Sequence, residues 1–111
     1  MDIKAFQQQV RELSQHFDTK TPDRRIMYLI SELGEVVDEV IELQTASADT
    51  SPEKIAEIKE RIGLEIYDVI WNAVDLANML DIDLEESFRQ KIEFNKERTW
   101  SRSGKIVDSH E

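Results

Sequence analysis

Apolar residues recur along the chain at alternating steps of three and four, the spacing that places them on one face of an α-helix. The first helix is predicted over residues 2–18, with a stripe of Ile3, Phe6, Val10, Leu13 and Phe17. The second is predicted to run to about Gln44, with a stripe of Ile26, Ile30, Leu33, Val37 and Val40. The third carries Ile55, Ile62, Ile66, Val69, Ala73, Leu76 and Leu80. We expect each stripe to be buried in a shared core.

Capping residues and prolines predict where the helices begin. An N-cap residue before proline marks two of these starts, and a capping box of Asp and Glu marks a third. The third helix then has about 28 residues and a length of ~42 Å. The fourth is predicted over roughly residues 84–99, residues 1–100 form one all-α domain, and 101–111 form a polar tail. The three starts are Thr21 with Pro22, Ser51 with Pro52, and Asp83 with Glu86.

Helices with such stripes predict an all-α fold, a four-helix antiparallel bundle. A helix of ~42 Å is long for so small a monomer. The third helix also carries apolar residues off its main stripe, among them Trp71 and Val74. We therefore expect a homo-oligomer in which part of the core lies between chains. The alternative is a monomeric bundle with a wide apolar face.

The charge balance narrows the range of partners. The chain has 24 Asp and Glu against 14 Lys and Arg, for a net charge of −10. A surface this acidic repels nucleic acid and anionic membranes, so we expect neither as a partner. The absence of cysteine excludes disulfides and thiolate chemistry. No apolar run reaches the ~18 residues of a membrane span, so we expect a soluble, cytoplasmic protein.

Two acidic motifs stand on the helices that carry the second and third stripes. On a helical wheel, both motifs fall on the same flank of the stripe. Packing the two helices antiparallel brings the carboxylates together, and hard divalent cations such as Mg²⁺ neutralise such a group. The alternative is a solvated acidic face. A di-iron site is disfavoured because no Glu-x-x-His motif is present. The motifs are ExxExxxE, with Glu32, Glu35 and Glu39, and ExxDxxxN, with Glu65, Asp68 and Asn72.

The fourth helix begins with an apolar stripe, Leu84 and Phe88, and continues it with polar and basic residues. Inward-facing cations need an anion, and a triphosphate beside metal-binding acids would supply it. The continuing residues, Lys91, Asn95 and Arg98, are therefore candidates for phosphate contact. The alternative is pairing with the chain's own surplus acids.

The ordered set Glu32, Glu35, Glu65 and Asp68 resembles the ExxE…ExxD pattern of the all-α nucleoside triphosphate pyrophosphohydrolases of the MazG type. The likeness covers roughly residues 22–100. It implies a homodimer or homotetramer and Mg²⁺-dependent cleavage of a nucleoside triphosphate between its α and β phosphates, with Mn²⁺ able to replace Mg²⁺. Members often clear non-standard or surplus nucleotides. We expect the four acids to ligate the metal. Resemblance to dimeric dUTPase relatives points to Glu32 as the general base, and Glu39 can orient a water.

Recognition of the base is less determined by the sequence. Tyr28 lies on the acidic flank, where its ring can stack on a base, and the Asn72 amide can hydrogen-bond a base edge or a sugar hydroxyl. Plain packing is the alternative for both. Arg24 and Arg25 either meet phosphate across a subunit boundary or face water. Two further functions stay open: a non-catalytic helical interaction module and a nucleotide-sensing module.

Overall fold

The computed structural model describes residues 1–17, 21–98 and 104–106. The described residues form four α-helices and no strand, which confirms the predicted all-α class. The second and third helices have the predicted bounds, and the 28 residues of the third correspond to about 42 Å. No described helix is long and apolar enough to cross a membrane, and the cytoplasmic location stays a prediction. The helices are α1 (Ile3–Ser14), α2 (Pro22–Gln44), α3 (Pro52–Met79) and α4 (Leu84–Glu97).

Helix starts follow the predicted capping chemistry with two exceptions. The Ser51 side chain accepts a hydrogen bond from the Lys54 backbone N–H (3.1 Å), and Asp83 accepts one from the Glu86 backbone N–H (3.3 Å). Thr21 has the extended backbone of an N-cap, but its side chain makes no capping bond, so proline alone defines that start. The capping box is half formed, because the Glu86 carboxylate pairs with Arg89 instead.

The first helix is shorter than predicted. It ends at Ser14, and a turn over residues 15–16 leads into the segment that contains Phe17. Leu13 and Phe17 therefore lie half exposed beside a cleft, and the stripe is buried only in its middle, at Val10. Val10 packs with Trp71 and Val74 of α3 in the main hydrophobic cluster.

Helices α2 and α3 form an antiparallel hairpin. Residues early in α2 pair with residues late in α3, as between Arg25 and Asp75, whereas residues late in α2 pair with residues early in α3, as between Glu39 and Arg61. The Glu32 carboxylate lies between these pairs and meets the acids of α3. This register brings the two acidic motifs face to face.

The prediction that the α2 stripe is buried is wrong for the single chain. Ile30 is 63% exposed and Leu33 is 51% exposed, and four stripe residues of α2 lie at or above 42%. The reason is that α2 packs on α3 through its neighbouring flank, where Leu29, Val36 and Leu43 are partly buried. On α3 the stripe is likewise open at Ile66, Ala73 and Leu80. The exposed part of the α2 stripe, which we call the outer stripe, consists of Ile26, Ile30, Leu33, Val37 and, beyond the predicted set, Ile41.

Helix α4 projects from the hairpin and packs on α1. Hydrogen bonds of the Gln7 side chain fix the start of α4. Gln7 accepts a hydrogen bond from the Leu84 backbone N–H (3.2 Å). It donates to the Ile82 carbonyl (2.7 Å) and to Asn78 Oδ1 (2.9 Å). The radius of gyration is 17.7 Å, well above the roughly 13 Å expected of a compact chain of this length. The chain alone is therefore open, with apolar surface on α2, α3 and α4.

Candidate functional site

Three carboxylates from the two acidic motifs converge between α2 and α3. Glu32, Glu65 and Asp68 each offer one oxygen, and these oxygens lie within 4.8 Å of one another. All three side chains are partly buried. Glu35 is more exposed, but its carboxylate interacts with those of Glu32 and Glu65. The structure thus gathers the four acids that the sequence pattern singled out.

The close approach of the carboxylates in this acidic cluster raises the pKa of two of them. Interaction with Glu35 and loss of solvent, with a further contribution from Glu32, raise the pKa of Glu65 to about 7. Burial, together with the nearby Glu35 and Asp68 carboxylates, raises the pKa of Glu32. Both shifts arise because neighbouring carboxylates hydrogen-bond to and repel one another where they are partly removed from water. A cation bound between them would remove that penalty.

The donor set fits a hard divalent cation. Oε2 of Glu32 and Oε2 of Glu65 are buried and have no hydrogen-bond partner among the described residues. Buried carboxylate oxygens without partners are costly, and oxygen ligands are those that Mg²⁺ and Mn²⁺ favour. The described residues of the cluster include no histidine, which agrees with a site for a hard cation. Glu32, Glu65 and Asp68 can therefore hold a divalent cation, with Glu35 beside them.

A cleft of about 470 Å³ opens at one side of the acidic cluster. Glu32 and Asp68 belong to its lining, so the cleft and the acids form one continuous site. The volume is within the range of small-molecule sites. Aromatic rings from three segments of the chain supply most of the apolar wall. The other lining residues are Leu13, Phe17, Arg25, Tyr28, Tyr67, Trp71 and Asn72.

Both residues predicted to contact the base or sugar line this cleft. Tyr28 is half exposed, and the Arg25 guanidinium carbon lies 5.6 Å from its ring centroid. Asn72 is buried, and its amide is already engaged: Oδ1 accepts from Arg25 Nη1 (2.7 Å), and Nδ2 donates to the Asp68 carbonyl (2.7 Å). Contact of either residue with substrate stays a prediction.

Arg25 lines the cleft, a position that the sequence-based alternatives did not include. It does not face water, because it is 5% exposed, its Nε lies 2.8 Å from Asp75 Oδ2, and its guanidinium carbon lies 5.2 Å from the Trp71 ring centroid. A signal was present in the sequence: Arg25 precedes Glu32 by seven residues, two helical turns, and Asp75 follows Asp68 by the same step. On an antiparallel hairpin these opposite charges meet.

The expected role of Glu39 is not supported. Its carboxylate pairs with Arg61 Nε at 2.6 Å, and Arg61 also binds Glu42 and Glu57. The hairpin register causes this pairing. Glu39 lies one turn after Glu35 on α2, and in the antiparallel hairpin that position faces Arg61, one turn before Glu65 on α3. Glu39 therefore belongs to a structural ion-pair network rather than to the acidic cluster.

The residues predicted on the fourth helix to contact phosphate lie outside the acidic cluster of the same chain. Lys91 and Asn95 are exposed, and neither they nor Arg98 belong to the described lining of the cleft. Arg98 is partly buried, and its guanidinium carbon lies 5.7 Å from the Phe94 ring centroid. The inward-facing arrangement predicted for α4 is wrong for the single chain, because this helix packs on α1. Of the predicted polar tail, residues 101–103 and 107–111 lie outside the described residues.

Comparison with known proteins identifies the family of the chain. Residues 20–101 match the MazG nucleotide pyrophosphohydrolase domain family. The chain is 33% identical over 86 residues to a dATP/dGTP diphosphohydrolase of Cyanophage S-2L, an alignment that covers 74% of this chain and 65% of that protein. No solved structure was found to match. Because the family match covers most of the chain and includes all four acids, the chain belongs to the MazG nucleotide pyrophosphohydrolase domain family.

Proposed function

We propose that the protein is a Mg²⁺-dependent nucleotide pyrophosphohydrolase that cleaves (d)NTPs between the α and β phosphates. The observation that carries the proposal is the convergence of Glu32, Glu65 and Asp68 at the edge of an aromatic-lined cleft. Such a site can hold a polyphosphate beside the acids and a base among the rings. The family match and the diphosphohydrolase relative support the same chemistry. We also propose a role in clearing surplus or non-standard nucleotides.

The reaction adds water to phosphorus and breaks the bridging P–O bond, so that a nucleoside monophosphate and pyrophosphate are released. A bound Mg²⁺, or Mn²⁺ in its place, would neutralise phosphate charge and acidify the attacking water. Glu32, Glu35, Glu65 and Asp68 are the residues that would hold it. Glu32 is our candidate to accept the proton of the water, because its carboxylate belongs both to the acidic cluster and to the lining of the cleft.

We further propose that the active form is a homodimer or homotetramer. The outer stripe exposes a continuous apolar face, which water-soluble chains seldom leave uncovered. A second copy of this chain is the proposed cover. An arrangement of this kind also gives Lys91 and Asn95 of α4, and Arg98 just after it, a route to the phosphates of a neighbouring chain's substrate.

Pyrophosphate release from canonical and modified (d)NTPs with Mg²⁺ tests the proposal directly. Wild-type protein should turn over at least one substrate, and Glu35→Ala and Asp68→Ala should each abolish most of the activity. Arg89→Lys, which alters an exposed ion pair on α4, is the control and should retain activity. Tight nucleotide binding without turnover would instead identify a sensor, and neither binding nor turnover would leave a helical interaction module.

A further inference from the structure

The lining of the cleft contains a buried cation that the proposed chemistry does not use. Arg25 lines the cleft, is 5% exposed and lies two helical turns before Glu32, about 10 Å along α2. Asp75 balances its charge at 2.8 Å, and Asn72 accepts a hydrogen bond from Nη1 at 2.7 Å. Two partners on α3 therefore fix the position of the guanidinium.

A fixed guanidinium of this kind offers directional donors. Arginine carries five N–H groups and no acceptor. Because Asp75 already neutralises the charge, Arg25 is a weaker site for phosphate than an unpaired arginine and a better one for a neutral group with acceptors. Tyr28 and Trp71 flank the guanidinium carbon at 5.6 and 5.2 Å from their ring centroids, so the polar donors lie within a stacking surface.

Resting on the proposed function, we propose that Arg25 selects the nucleobase and favours 6-oxopurines, guanine and hypoxanthine. Their O6 and N7 atoms present two adjacent acceptors that match the fork of a guanidinium. Adenine places an amino donor where O6 would lie, and pyrimidines lack the paired acceptors. Stacking on the half-exposed Tyr28 does not distinguish one base from another, so the discrimination comes from Arg25.

The first test uses wild-type protein and a change of single substrate groups. We compare kcat/KM for dGTP, dITP, 7-deaza-dGTP, which lacks the N7 acceptor, and dATP. A bidentate contact that discriminates by ~1–3 kcal/mol corresponds to about a 5- to 150-fold preference for dGTP over dATP. We expect dITP to follow dGTP, and 7-deaza-dGTP to lose at least about fivefold. Equal values for dGTP, 7-deaza-dGTP and dATP would overturn the inference and leave the proposed function standing.

The second test uses Arg25→Lys, which keeps a charge for Asp75 but removes the fork. We expect the ratio of kcat/KM for dGTP to that for 7-deaza-dGTP to fall toward one, whereas Arg89→Lys should preserve it. A structural role alone would lower both values together and keep the ratio, and that result would overturn the inference. Circular dichroism verifies the fold, and the wild-type comparison stands even where this variant does not fold.

A binding measurement tests base selection by Arg25 separately from the proposed hydrolysis. If no triphosphate is hydrolysed, the proposed function fails, and calorimetric titration with dGMP, 7-deaza-dGMP and dAMP still decides the base preference. Tighter binding of dGMP than of both analogues supports Arg25 as the selecting residue. Equal affinities, or no binding of any of the three, would overturn the inference.

Discussion

The buried Arg25–Asp75 pair provides a sharp test of what holds the hairpin together. The two side chains are 7% and 2% exposed, so water does little to screen either charge. Removing one partner of such a pair strands the other charge and costs about 3–5 kcal/mol. At 111 residues this corresponds to roughly 12–20 °C in Tm. We therefore expect Asp75→Asn and Arg25→Met each to destabilise the protein by this amount.

The double variant carries the decisive prediction, because it removes both charges. Asp75→Asn should destabilise the wild-type protein but stabilise the Arg25→Met variant, since it then removes an unpaired buried carboxylate. Urea unfolding at one fixed protein concentration measures all four proteins, because assembly makes stability depend on concentration. Arg89→Met, which breaks an exposed pair, should cost no more than about 1 kcal/mol. If Asp75→Asn costs less than about 0.5 kcal/mol, or further destabilises Arg25→Met, the reasoning is refuted.

Three further predictions follow from other parts of the structure. The pKa of Glu65 is raised from 4.5 to about 7, so the folded protein binds that proton more tightly than the unfolded chain, and metal-free protein should lose stability as pH rises across this interval. The Glu65→Gln variant should not show this loss of stability when thermal unfolding is measured across the same pH range. A pH profile equal to that of the wild-type protein would contradict the prediction. Ile30→Glu should shift the proposed oligomer toward monomer by light scattering, whereas an unchanged mass would remove the outer stripe from the interface. Asp83→Ala should cost about 1 kcal/mol in urea unfolding through loss of its capping bond, and a cost near zero would mean that the cap contributes nothing.

The elements of the fold could be predicted because their causes are local. Proline fixes where α2 and α3 begin, Ser51 adds a capping bond at α3, and the short polar loop between the two helices forces an antiparallel return. The acidic cluster was predictable for the same reason: two motifs on matching flanks of a hairpin must meet. Spacing and helix direction were enough to predict that the two acidic flanks meet, as the convergence of Glu32 with Asp68 shows.

The partners of individual charges could not be predicted in this way, because they depend on register. If α2 were shifted along α3 by one helical turn, Glu39 would lie beside the acidic cluster and would no longer pair with Arg61. Spacing alone does not decide between these arrangements, since both keep apolar residues on one face. The ion pairs of Arg25 with Asp75 and of Arg61 with Glu39 are two contacts that favour the observed register.

The exposed outer stripe and the buried charges have a common explanation. Periodicity identifies an apolar face but not the surface that covers it, and here the α2–α3 contact uses the flank with Glu32 and Arg25 instead. The hairpin contact combines carboxylates and ion pairs with partly buried apolar residues and leaves much apolar surface turned outward, so covering those faces would add stability. In the proposed oligomer a second chain covers those faces and holds the acids at the spacing that a cation requires. Assembly would then stabilise the hairpin that carries the acids, so a substitution in the outer stripe such as Ile30→Glu would weaken metal binding although it lies outside the described lining of the cleft.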